Sequence, residues 1–137
     1  MKPGKPFAYG TVRRDAGAGA DASTACHFIG LPGNPVSSYL TFLLLVRPFL
    51  LKLQGMRELA IKSIALPAHF TLGKSDKRRE FLRARRNADG GLDLFANQSS
   101  GVLTSAVWGD GVVDNPAGTT IAHGDLVRFI LFSELLA

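Results

Sequence analysis

The sequence is poor in cysteine, in histidine and in acidic side chains. Its single cysteine, Cys26, excludes a disulfide within the chain, and its three histidines lie far apart. Neither residue type has a partner at metal-binding spacing, which argues against a structural zinc site. The beginning of the sequence shows no signal peptide, and reduced cysteine is typical of cytosolic proteins. We therefore expect a cytoplasmic protein.

Common catalytic signatures are also missing. The sequence has no Walker-type lysine loop, no nucleophile elbow and no Cys–His pair. Cys26 lies in the apolar run ACHFIG. A thiol in such a strand is typically buried and inert, so we predict a structural role for Cys26 rather than a nucleophilic one.

The net charge of +5 is confined to one segment. Between Lys74 and Arg86 seven cations accompany two carboxylates, and the rest of the chain is neutral. Apart from Phe81, no aromatic residue alternates with these cations, as the stacking platforms of single-strand binding proteins require. We therefore predict a solvated strand face or a subunit contact here and no nucleic acid partner, with a basic nucleic-acid-binding barrel as an alternative.

The most informative stretch runs from Phe28 to Gly55, where a strand end, a Gly/Pro turn and one long apolar helix follow one another. Asn34 is a favourable N-cap, and Pro35 suits the first helical position. Apolar residues are dense enough to bury most of the helix circumference. Pro48 removes one helical hydrogen bond, so we predict a kink near Leu44 or a helix in two pieces.

An apolar helix of this length has two further interpretations. A membrane span needs roughly 20 apolar residues, but Arg47, Pro48 and Lys52 lie inside this one, so we expect no membrane partner. A strand, a glycine turn and a helix N-terminus together also form a common anion site, because the helix dipole and free amides point to one place. That geometry is generic and does not identify a ligand by itself.

After Gly55 the pattern changes to short strands separated by turn residues. Such a pattern predicts a small closed or semi-closed β-barrel. We place the domain boundary there, giving residues 1–56 and 57–137. The predicted strands cover residues 61–69, 79–86, 92–96, 112–113 and 126–132, with a break at 114–116. An apolar segment covers residues 102–108, and its part at 102–106 is either a strand or a single helical turn.

Three segments together carry a family resemblance. They are MKPGKPFAYG at residues 1–10, FIGLPGNPVSSYLTFLLLVRPFL at 28–50 and NQSSGVLTSAVWGDGVVDNP at 97–116. In order and spacing they resemble the C-terminal part of the molybdopterin molybdenumtransferase family, which includes MoeA and the gephyrin E domain. The resemblance implies a fragment of a molybdopterin-binding α/β domain, with a β-hairpin and a long helix, followed by a small all-β barrel domain.

The resemblance also implies a site. Lysines of the first segment would face the pterin phosphate and the oxyanion, the turn would form the pocket floor, and a loop serine would face the cleft. Ser99 is the alternative for that serine, because a shift of the alignment by one residue brings it to the same place. The implied substrate-binding residues are Lys2, Lys5, Gly33, Asn34 and Ser100, and the implied pocket-shaping residues are Pro32 and Pro35.

By resemblance, the full enzyme transfers molybdate into adenylylated molybdopterin with the help of Mg²⁺, and acts as a homodimer. The carboxylates that would hold the metal lie in regions that this sequence does not contain, so we expect the chain to be inactive alone. The alternative from another class is a noncatalytic binding or scaffold module of the gephyrin type.

Overall fold

The computed structural model describes residues 7–13, 25–96, 98 and 108–136. Within them a two-stranded ribbon is followed by an interrupted helix and then by five strands and a short terminal helix. In chain order the elements are β1 (Ala8–Arg13), β2 (Ala25–Gly30), α1 (Pro35–Thr41), a π-helical segment (Phe42–Val46), α2 (Arg47–Leu53), β3 (Ile64–Pro67), β4 (Glu80–Arg86), β5 (Leu92–Leu94), β6 (Gly111–Asn115), β7 (Leu126–Leu131) and α3 (Phe132–Leu136).

The strands form two separate sheets. β1 and β2 pair antiparallel, with Ala8 opposite Gly30. The other five strands form one antiparallel sheet in the order β3-β7-β6-β4-β5. This sheet curls until its two edges meet at a single bridge between Ala68 and Leu92, so it is a half-barrel. The predicted barrel-like sheet is confirmed to that extent.

Apolar side chains cover both faces of the half-barrel. Inside the curl lies one buried cluster, formed by Ala68, Leu82, Ala84, Leu92, Val113, Ile121 and Phe129. On the outer face the helix packs against the sheet in a second cluster, formed by Val36, Leu40, Leu43, Leu44, Phe81, Val112, Ile130, Phe132 and Leu135. Each fully buried Val, Leu, Ile or Phe side chain contributes about 1.5–3 kcal/mol. The helix before residue 56 and the sheet after it share this core. The division at residue 56 into an α/β part and a separate barrel stays a prediction.

The helix begins and breaks where the sequence predicts. Asn34 is the N-cap, its side chain accepting a hydrogen bond from the Ser37 N–H, and Pro35 follows at the first position. Ahead of Pro48 the α-helix widens into the π segment, in which the Arg47 N–H donates to the Phe42 carbonyl. The wider turn accommodates a residue that has no N–H and whose ring would crowd the carbonyl one turn earlier.

The helix is less buried than predicted. Four of its large apolar side chains are exposed, namely Phe42, Leu45, Leu50 and Leu53, and α2 contributes no fully buried residue. The prediction that most of the circumference is buried was therefore wrong, because the sheet covers only one side. By length and composition the helix Pro35–Leu53 could cross a membrane, a test that core helices of soluble proteins also pass.

Strand ends differ in detail from the predicted ones. The strand predicted at 61–69 is shorter, and β7 ends at Leu131 because the chain turns into α3, which the pattern did not predict. β6 continues through Asp114 and Asn115, where a break was predicted. Both side chains are buried, since Asp114 pairs with arginines and Asn115 donates to the Thr119 carbonyl. The segment at 102–106, predicted as a strand or a helical turn, lies outside the described residues.

Cys26 is exposed, which corrects the prediction of a buried thiol. It shares a face of the β1–β2 ribbon with Val12 and Phe28, both also exposed. An apolar strand predicts a covered face, but here the described residues leave this face exposed; on the other face Tyr9 and His27 contact Phe49 and are themselves exposed.

Candidate functional site

The predicted site residues divide into two groups. Lys2, Lys5, Ser99 and Ser100 lie outside the described residues, so their roles stay predictions. The turn residues are described: Pro32 is buried, Gly33 and Pro35 are exposed, and Asn34 is half-buried. The structure therefore places one part of the predicted site.

The turn joins the end of β2 to the helix N-terminus. The Asn34 Oδ1 accepts from the Ser37 N–H at 3.5 Å, and the Asn34 carbonyl accepts from the Ser38 N–H at 2.8 Å. The first helical turn carries no acidic residue, so the positive end of the helix dipole is not neutralised locally. With its oxygen committed to the cap, Asn34 can offer its Nδ2 as a donor, which suits an anion.

Gly33 stands in open space. A Cβ built at this position meets no described atom within 4 Å, and its φ is not positive. Neither crowding nor backbone conformation within the described residues therefore requires glycine here. A glycine in open space leaves its backbone accessible to a ligand.

An ion cluster that sequence reasoning missed lies on the half-barrel. The Asp114 carboxylate, 2% exposed, accepts hydrogen bonds from Arg79 Nε at 2.6 Å and from Arg79 Nη2, and Arg128 Nη1 lies at 3.3 Å. The hydrogen bonds to Asp114 raise the pKa of Arg79. Arg128 Nε also donates to Ser63 Oγ at 2.9 Å. Only strand pairing brings these distant residues together, so no pattern of neighbouring residues in the sequence predicts the cluster.

The basic segment was predicted to be a solvated strand face, but it is not solvated throughout. Arg83 is fully buried, and burial lowers the pKa of its guanidinium. Its strand is joined to Gln98, whose Oε1 accepts from the Arg83 N–H at 3.0 Å and whose Nε2 donates to the Arg83 carbonyl at 3.1 Å. Arg85 stacks on the Trp108 ring at 4.4 Å. The prediction of a solvated face was wrong for Arg83.

A polar network lies where the two edges of the half-barrel meet. Asn87 Oδ1 accepts from the backbone N–H of Asp89 and of Gly91, both at 3.0 Å. Its Nδ2 lies 2.8 Å from His69 Nδ1 and donates to Asp93 Oδ1 at 3.0 Å. The His69 ring in turn stacks on that of His123, with ring centroids 5.3 Å apart. The turn at residues 87–91 was predicted from the sequence, but the stacking of His69 on His123 was not.

The described residues show no cluster of side chains that could hold a metal ion. Among the described ranges, no three His, Cys, Asp or Glu side chains come together in a way that could hold one. The expectation that Mg²⁺ is held by residues outside this chain stays a prediction, and no chemical step is assigned to the ion.

Comparisons with known proteins agree with the sequence motifs. Residues 65–132 match the family model of the MoeA C-terminal region (domain IV). The chain is 45% identical over 58 residues to "Molybdopterin molybdenumtransferase" of Haemophilus influenzae, covering 42% of this chain and 12% of that protein. It is 34% identical over 128 residues to "Molybdenum cofactor synthesis protein cinnamon" of Drosophila melanogaster, covering 88% of this chain and 19% of that protein.

The fold has a solved counterpart. The crystal structure of the molybdopterin biosynthesis moeA protein from Pyrococcus horikoshii OT3 superposes with a TM-score of 0.62 and 22% sequence identity, over 72% of this chain and 26% of that one. This likeness shows a shared fold. The chain spans less than a fifth of the length of the two curated relatives, at 12% and 19%.

Proposed function

Because this chain belongs to the molybdopterin molybdenumtransferase (MoeA) family and corresponds to its C-terminal part, we propose that it forms part of a molybdenum insertase. The substrates in this proposal are adenylylated molybdopterin and molybdate. The adenylate is released by hydrolysis, and molybdenum passes to the dithiolene sulfurs. The observation that carries the proposal is the family match, and the Drosophila relative aligns with 88% of the chain.

The turn before the helix gives the proposal a physical basis. A helix start without an acidic residue in its first turn, the Asn34 Nδ2 donor and the accessible Gly33 backbone all favour a polyanion. In this proposal Lys2 and Lys5 neutralise phosphate or molybdate, and Ser100 adds a hydroxyl from the barrel side. Pro32 and Pro35 fix the shape of the turn and exchange no proton. The protein's task is then to hold anions against fixed donors at short range.

The proposed activity belongs to a longer protein. Residues that hold Mg²⁺ would come from outside this chain, so the isolated chain binds substrate fragments without turning them over. A homodimer of the longer protein is part of the same proposal.

An NMR titration of the ¹⁵N-labelled chain with AMP and molybdate tests the site. We expect the amide signals of Gly33 and Asn34 to shift together with those of Lys2, Lys5 and Ser100. The double variant Lys2→Ala/Lys5→Ala should lose most of this response, because two cations leave the anion site.

The matched control removes two exposed lysines elsewhere, in Lys74→Ala/Lys77→Ala, and keeps the same net charge as the test variant. An equal loss in both double variants would mean that the anions bind through overall charge. Shifts confined to residues 74–86 would assign binding to the basic segment instead, and the proposed site would be wrong.

A further inference from the structure

We propose that the pocket between the helix and the half-barrel binds a small amphipathic carboxylate. The pocket has a volume of about 340 Å³ and lies on the outer face of the sheet. It combines an apolar wall with the ion cluster described above. The lining residues are Leu44, Leu45, Ile61, Phe81 and Ile130, together with Arg79, Asp114 and Arg128.

The apolar wall is part of the protein core. Leu44, Phe81 and Ile130 belong to the buried cluster that joins helix and sheet, so their positions are fixed by packing. Leu45 is 42% exposed and lines the same pocket. Pockets of about this volume, mostly apolar with a few polar groups, are typical small-molecule sites. The wall therefore suits a ring or a short aliphatic body.

The ion cluster carries one positive charge in excess, since two guanidinium groups share one carboxylate. Asp114 is buried, whereas the side chains of Arg79 and Arg128 are 55% and 49% exposed. Arg79 uses Nε and Nη2 on Asp114, and Arg128 uses Nη1 on Asp114 and Nε on Ser63. Within the described residues, no acceptor engages Arg79 Nη1 or Arg128 Nη2. These two donors suit one carboxylate.

Both guanidinium groups are held before any ligand arrives. Asp114 fixes Arg79, which also stands over the Phe81 ring at 5.4 Å, and Ser63 fixes Arg128. Preformed geometry reduces the entropy that binding costs. The donors therefore lie at the edge of the apolar wall in a fixed orientation.

A neighbouring pocket shares the ion cluster but suits an anion less well. It has a volume of about 480 Å³ and contains a second carboxylate, Asp125, which balances the excess positive charge. In the first pocket Asp114 is the single acidic lining residue among those described. Charge therefore assigns the monoanion to the first pocket.

A pair of matched ligands tests the proposal. 4-Phenylbutanoate has an apolar body and a carboxylate, and 4-phenylbutan-1-ol keeps the body without the charge. We expect the acid to shift the amide signals of residues 44–45, 79–81 and 128–130, and to bind at least about tenfold more tightly than the alcohol. Equal affinities, or no binding of the acid, would overturn the proposal.

Two variants locate the site. Arg128→Gln removes one donor and leaves Asp114 paired with Arg79, and Leu45→Asn makes the apolar wall polar at an exposed position, where the fold tolerates the change. Each should weaken binding of the acid about tenfold. Leu45→Asn keeps the test decisive if Arg128→Gln does not fold.

The control variant is Arg86→Gln. Arg86 pairs with Asp110 on the same sheet, is exposed to a similar degree as Arg79, and does not line the pocket. It should bind the acid like the wild type. If Arg86→Gln weakens binding as much as Arg128→Gln does, the acid binds through net charge and the pocket assignment is wrong.

Discussion

Among the glycines that the structure describes, Gly111 has the closest backbone neighbour. A Cβ at this position would stand 2.1 Å from the Ile130 carbonyl oxygen of the paired strand and 3.0 Å from the Leu131 Cα. Backbone atoms in the centre of a sheet cannot move aside as a flexible side chain does. Glycine is therefore required here by close approach, although its φ is not positive.

We predict that Gly111→Ala lowers the free energy of unfolding by about 2–4 kcal/mol, because β6 and β7 must separate to admit the methyl group. Urea denaturation followed by circular dichroism measures this loss. Gly73→Ala is the control, since a Cβ there meets no described atom within 4 Å. Equal unfolding midpoints for the two variants would contradict the prediction.

The polar network around Asn87 also determines which ring nitrogen of neutral His69 carries the proton. Asn87 Oδ1 accepts two backbone hydrogen bonds, so its Nδ2 must face His69 Nδ1. A nitrogen that faces a donor has to accept, so we predict that neutral His69 carries its proton on Nε2. Long-range ¹H–¹⁵N correlation spectra distinguish the two tautomers. The Nδ1–H tautomer in the folded protein would show that the Asn87 amide is oriented the other way.

At the scale of elements, the helix shows how two prolines act in opposite ways. Pro35 fits at the helix start, where its missing N–H costs nothing, and follows a capping residue. Pro48 lies inside and forces the five-residue π segment, Phe42–Val46. The α-helix before the break presents its buried residues to the sheet, and α2 after it has none. The π segment still contributes Leu43, Leu44 and Val46 to the buried residues, so the buried part of the helix ends where α2 begins.

The cap allows a stability role and a ligand role for Asn34 to be separated. Asn34→Ala should cost about 1 kcal/mol of unfolding free energy, because the Ser37 N–H loses its acceptor. Asn34→Asp should keep that stability, since aspartate caps equally well, but it should weaken binding of AMP and molybdate because it adds negative charge.

Denaturation and the anion titration on both variants check this prediction. Unchanged anion binding in Asn34→Asp would remove Asn34 from the proposed site. Loss of stability in both variants would mean that the carboxamide has a contact besides the cap.

At the scale of the whole molecule, the described parts differ in how much apolar surface they bury. The half-barrel has a buried cluster on each face, and its central strands carry Val112, Val113, Phe129 and Ile130. The β1–β2 ribbon is a separate two-stranded sheet with exposed apolar side chains. Isolated two-stranded ribbons are marginally stable in water. Stability is therefore expected to be uneven across the molecule.

We predict that amide hydrogen exchange is slow in β6 and β7 and much faster in β1 and β2. The ribbon should open without unfolding the half-barrel, so its exchange should respond little to low urea concentrations, whereas exchange in β6 should follow global unfolding. NMR-detected exchange measures both regions in one sample. Equal opening free energies in ribbon and half-barrel would show that the two form one cooperative unit.

Local chemistry explains what could be predicted from the sequence. The N-cap at Asn34, the break ahead of Pro48 and the αL residue Gly55, with φ of 90°, depend on neighbours in the chain. The strands around the turn at residues 87–91 were also predicted, because Asn and Gly determine turn geometry wherever they occur. The family motifs were equally local, and the comparisons confirmed them.

The sequence by itself thus determined the family, the ribbon and the helix that precede the antiparallel sheet, and the turn between β2 and the helix. Only the tertiary structure decided which cation is buried, that Cys26 is exposed, and that Arg79, Asp114 and Arg128 meet beside an apolar pocket. The physical reason is that caps, breaks and turns arise from interactions between near neighbours in the chain. Burial and ion pairing instead depend on which strands come to lie side by side.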